Sequence, residues 1–126
     1  MALGPVGQIH ISVTDIDRSV AFYRDVLGIP FLFQVPGQPM AFFASGDVRL
    51  YLGVPESQEF ASKCTLYFRV DDIEAEHDRL AAAGAPMIGK PHVVHRDGDT
   101  ELWMSFLRDP DGHNIGLMQD RPAPAA

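Results

Sequence analysis

Apolar and polar positions alternate near the start of the chain, with Ile9, Ile11 and Val13 on one side of a predicted strand and Gln8, His10 and Ser12 on the other. The period then lengthens to that of a helix. Ile16, Val20, Tyr23 and Leu27 recur at spacings of four, three and four, which gives one apolar stripe. Asp15 or Thr14 stands where the free amides of a first helical turn need an acceptor. Gly28 follows the stripe, where a left-handed cap costs glycine little, and Pro30 prevents the helix from resuming. Three extended runs come next, Phe31 to Val35, Met40 to Ser45 and Val48 to Leu52. They are separated by Pro36-Gly37-Gln38-Pro39 and Ser45-Gly46-Asp47, compositions that let a chain reverse.

The second half repeats this order. Leu66, Phe68 and Val70 alternate with Thr65, Tyr67 and Arg69, Asp71 or Asp72 marks a helix start, and Ile73 and Leu80 continue a stripe with His77 between them. Gly84 and Pro86 end the helix at the point equivalent to Gly28 and Pro30, but the second copy is one residue shorter across the helix. Extended runs follow at Met87 to Val94, Glu101 to Leu107 and Asn114 to Gln119, with a turn at Asp97-Gly98-Asp99. Residues 55–63 join the copies, and 121–126, rich in Pro and Ala, are expected to fray. The prediction is one α+β domain over residues 1–126, made of two βαβββ modules at about 7–54 and 64–120.

Composition narrows the function without naming it. The 126 residues are 46% hydrophobic and 21% charged, the balance of an ordinary globular domain. A formal charge of −7 with no run of Lys or Arg argues against nucleic acid as a partner. Cys64 is the single cysteine, so no internal disulfide or CxxC pair can form, and a reducing cytoplasm is expected. The chain shows no basic leader with an apolar stretch behind it and no apolar run of membrane-spanning length, so neither export nor a membrane partner is expected.

Two stretches go beyond a generic α+β pattern. Ile9-His10-Ile11-Ser12-Val13-Thr14-Asp15 with Ala21-Phe22-Tyr23-Arg24-Asp25-Val26-Leu27-Gly28, and Phe106-Leu107-Arg108-Asp109-Pro110-Asp111-Gly112-His113-Asn114, resemble the vicinal oxygen chelate superfamily of glyoxalases, bleomycin-resistance proteins and extradiol dioxygenases. The resemblance spans nearly the whole chain. It implies an eight-stranded, cupped mixed sheet with helices outside, frequent homodimers, and in some branches a divalent metal held inside the cup by the first and fourth strands of each module. It does not fix the reaction, because this superfamily hosts isomerases, lyases, dioxygenases, thiol transferases and drug-sequestering proteins.

Laid on this chain, the resemblance puts the four ligand positions at His10, Tyr67, a residue near Leu50, and Gly116. Only His10 is an ordinary metal donor, whereas open catalytic sites use about three protein donors. A replacement set of His92, His95 and Glu101 is disfavoured, since His92 and His95 are three apart and point to opposite faces of a regular strand.

The polar positions of the opening strands fit a solvated or ligand-filled interior better than a packed one, as burying them unpartnered costs about 1–3 kcal/mol each. Arg69 suits a carboxylate or phosphate, His10 can serve as a general base or hydrogen-bond donor, and Phe43, Trp103 and Met104 offer flat or soft walls. The expected function is therefore small-molecule binding without a firm cofactor, through His10, Ser12, Phe43, Leu50, Tyr67, Arg69, Trp103, Met104 and Gly116. The rival is a metal-dependent lyase, isomerase or dioxygenase with His10 as its tentative catalytic residue.

Overall fold

The computed structural model describes residues 2–124, which form two compact units divided between Cys64 and Thr65. Each unit is a βαβββ module, and the chain is an α+β protein of two four-stranded mixed sheets with two helices. The first unit runs β1 (Gln8–Ser12), α1 (Ile16–Ala21) with a π-helical continuation Phe22–Val26, β2 (Phe31–Gln34), β3 (Met40–Ser45) and β4 (Val48–Gly53). The second runs β5 (Thr65–Arg69), α2 (Ile73–Ala82), β6 (Met87–Asp97), β7 (Thr100–Arg108) and β8 (Asn114–Pro122). The strand orders are β1-β4-β3-β2 and β5-β8-β7-β6. In each, the opening strand pairs in parallel with the closing one, which the intervening helix and hairpins make possible.

The caps lie where the sequence pattern requires them. Asp15 accepts from the Arg18 amide at 3.1 Å and Asp72 from the Ala75 amide at 3.2 Å. Gly28 and Gly84 have φ of 77° and 89°, a region that resists side chains. The extra residue of the first copy is absorbed between these caps. The Leu27 amide bonds back to the Phe22 carbonyl at 2.9 Å, an i→i−5 step, so Phe22–Val26 forms a π turn where α2 stays regular. Tyr23 and Leu80 consequently hold equivalent places, 0% and 1% exposed, against their own sheets.

Each helix covers one sheet face. Ile11, Val13, Val20, Phe43, Leu50 and Leu52 bury there in the first unit, and Ile73, Leu80, Leu107, Ile115 and Leu117 in the second. Full burial of such side chains stabilises by about 1.5–3 kcal/mol each. Among the described residues no helix is long and apolar enough to cross a membrane.

Strand register departs from a regular pattern in β2 and β6, and two expectations are corrected. A register shift between Phe31 and Phe33 sends their side chains to opposite faces, opposite Phe43 and Phe42 respectively. Another, between Val93 and His95, puts His92 opposite Met104 and His95 opposite Leu102, so the two histidines share a face. Finally, β8 reaches Pro122, and the Ala123 amide bonds the Asp99 carbonyl. Arg121 is therefore built into the sheet, and only residues 125 and 126 of the expected tail lie outside the described residues.

Candidate functional site

The sheet face away from α1 carries a row of rings, one from each strand. Phe33 of β2 lies 4.8 Å from Phe42 of β3, Phe42 stacks on Tyr51 of β4 at 5.0 Å and 16°, and Tyr51 meets His10 of β1 at 4.8 Å. The pairings Phe33↔Phe42, Phe42↔Tyr51 and His10↔Tyr51 generate this row directly. Tyr51 leans along its strand over Gly53, where a Cβ would come within 2.8 Å of the ring. The Arg49 guanidinium sits 5.0 Å from the Phe42 ring centre, with Arg49 Nε donating to Gln8 Oε1 at 2.8 Å.

At the His10 end the row borders a cavity of about 380 Å³, lined by His10, Tyr51, Val54, Pro55 and Glu56. The segment after β4 is held beside it. The Ser62 amide donates to Ser12 Oγ at 2.8 Å, and Ser62 Oγ lies 3.3 Å from the His10 carbonyl. Ser12 Oγ in turn lies 3.1 Å from His10 Nε2, so one hydroxyl ties the imidazole to this segment. His10 and Ser12 are thus brought together at one cavity.

Phe43 and Leu50 are not part of it. Leu50 pairs with Ile9, Phe43 pairs with Leu50, and both face Tyr23 and α1, at 2% and 0% exposure. The residues on the row are their neighbours Phe42 and Tyr51, because a slip of one position moves every side chain of a strand to the other face. The alternation Arg49-Leu50-Tyr51-Leu52 held that information, with two leucines marking the core side. The adjacent phenylalanines Phe42 and Phe43 gave no such cue.

The same row recurs in the second unit with different contents. Ile88, Phe106, Gly116 and Tyr67 occupy the places of Phe33, Phe42, Tyr51 and His10. Gly116 leaves a gap, and the Tyr67 ring fills it. A Cβ on Gly116 would lie 2.7 Å from Tyr67 Cδ1 and 3.1 Å from Phe106 Cε1. Met104 shares this face, through its pairing with Met118 opposite Arg69. Arg69 is exposed and pairs with Asp120 at 3.3 Å.

Trp103 faces the other way. It alternates with Met104, on the side where Ser105 lies 2.9 Å from His77 of α2. Its ring lies 4.8 Å beneath the Arg121 guanidinium, and its Nε1 is buried without a hydrogen-bond partner among the described residues. Arg121 also bonds both carboxylate oxygens of Glu74, and this holds the Glu74 carboxyl below the usual glutamate range.

The metal that the resemblance implies does not fit the donor set. The strand pairings assign the four positions to His10, Tyr51, Tyr67 and Gly116, of which the imidazole alone is an ordinary donor and two are phenols. Glu101 is buried on the face opposite His95 and pairs with Arg96, so it does not join the histidines of β6. Among the described residues no three His, Cys, Asp or Glu side chains are grouped to hold an ion.

Repeat, register rows and helix-free cavity define a class, and comparison agrees: the profile of the Glyoxalase/Bleomycin resistance protein/Dioxygenase superfamily matches residues 6–117, and the chain belongs to that superfamily. It is similar to the uncharacterized protein YraH of Bacillus subtilis, 31% identical over 124 residues that cover 86% of this chain and 91% of the other. A probable lactoylglutathione lyase of Vibrio cholerae is 30% identical, covering 91% and 90%. Among solved structures, TnmS3, an antibiotic binding protein from Streptomyces, superposes with a TM-score of 0.71 at 27% identity, covering 99% of both chains.

Proposed function

We propose that this chain binds a small organic molecule on the helix-free face of its first module, without the metal used in other branches of the superfamily. The observation that carries the reading is the four-ring row ending in a cavity beside His10 and Tyr51. Flat aromatic walls with a few fixed polar groups are what a small-molecule site requires. The antibiotic-binding relative supports it by analogy. In the second module, Tyr67, Arg69, Met104 and Gly116 are proposed as secondary ligand-facing positions. The two modules are read as one domain, acting as a cytoplasmic homodimer. Light scattering of the purified chain tests the dimer.

One observation favours a second reading. His10 occupies the first-strand ligand position, and a relative at 30% identity carries the name of a probable lyase. Elemental analysis after dialysis against Ni, Zn, Mn or Fe salts separates the two. The binding reading expects metal-free protein whose melting temperature the salts leave unchanged, and a melting temperature that rises with planar aromatic compounds in the native chain but not in Tyr51→Leu. Stoichiometric metal that disappears in His10→Ala overturns it.

A further inference from the structure

Resting on that binding site, we infer that its ligand is a planar aromatic cation, with Glu56 supplying the counter-charge. Glu56 is exposed on the cavity wall and enters no hydrogen bond or ion pair among the described residues, so a ligand would find its carboxylate unengaged. The remaining walls are two rings, Tyr51 and His10, and the apolar Val54 and Pro55. Such a pocket has π faces for a flat molecule and one carboxylate for its positive end.

A second, independent observation is a cation already held against this row. The Arg49 guanidinium lies 5.0 Å from the ring centre of Phe42, the ring next to Tyr51, and its Nε donates to the neutral Gln8 amide oxygen. Arg49 does not line the cavity, and Glu56 is the one carboxylate among its lining residues. The formal charge of −7 acts in the same direction, since it raises the local concentration of cations and lowers that of anions.

The test uses the full-length protein and two fluorescent tricycles of one shape and opposite charge, aminoacridine and anthracenecarboxylate. Expected is saturable binding of aminoacridine, about tenfold tighter than anthracenecarboxylate, as one charge-assisted contact supplies. Glu56→Gln should remove that preference at an unchanged melting temperature, Glu59→Gln should leave it intact, and Tyr51→Leu should weaken both dyes. Equal binding of the two dyes, lost in Tyr51→Leu, overturns the charge assignment and leaves the small-molecule site standing. A preference that survives Glu56→Gln also overturns the assignment. Binding of neither dye overturns both readings.

Discussion

The two modules lay out the same row across the same four strands and fill it differently. In the first, Phe33, Phe42, Tyr51 and His10 make an unbroken line of rings, with Phe42 only 7% exposed beneath its neighbours. In the second, Gly116 interrupts the line and Tyr67, half exposed, drops into the gap. A duplicated fold can therefore retain register and core while its two helix-free faces diverge, because packing against the helix constrains only the other side of each strand. The helices diverge in a related way: the first holds an additional residue as a π turn without moving its cap or its buried Tyr23.

Deleting one exposed residue from each helix should break this comparison most severely. Removal of Asp78 from the regular α2 rotates Leu80 by about 100° off the sheet, an expected loss of about 2–5 kcal/mol or failure to fold. Removal of Asp25 from the π turn should cost under about 1 kcal/mol, since it returns that turn to α geometry. Equal losses in denaturant melts would show that the π turn is not where the extra residue is held.

A smaller effect is expected at the gap. Gly116→Ala should destabilise by about 1 kcal/mol through contact with the Tyr67 ring, and Tyr67→Ala should cancel that cost in the double variant. Additive losses would mean that the ring does not depend on the glycine.

The smallest effect concerns acid stability. Arg121 holds Glu74 below its usual range, so the folded chain binds that proton more weakly than the unfolded chain does. The stabilisation is present at neutral pH and lost as pH falls from the ordinary glutamate range through the lower folded value. Glu74→Gln should flatten this part of the stability profile by less than about 1 kcal/mol. Asp25 is lowered in the same direction by Arg24, but these are neighbours in sequence and can pair in the unfolded chain as well. Asp25→Asn should leave the profile unchanged. A larger change at Asp25 than at Glu74 in urea melts across the acid range would contradict this.

Much of the fold was legible beforehand because its signals are local. The alternation of Ile9, Ile11 and Val13, the two helix starts, the Gly28 and Gly84 stops and the tandem repeat all act over a few residues and lie where the pattern put them, with Asp15 rather than Thr14 and Asp72 rather than Asp71 as the caps. The site was less legible. Strand parity places His10 and Ser12 on the helix-free face, whereas the expected Phe43 and Leu50 lie one position away from Phe42 and Tyr51, which occupy it. Glu56 and Ser62 lie in a joining segment with no periodicity to orient them.

The sequence by itself determined the two-module order, the helix ends, the core stripes and the superfamily resemblance, since these follow from residue type and spacing. Only the tertiary structure decided which neighbour of each pair faces the cavity, that bulges place His92 with His95 and part Phe31 from Phe33, and that Tyr67 fills the gap at Gly116. Those outcomes depend on strand register, which is fixed by pairing partners far apart in the chain and leaves little trace in any one segment.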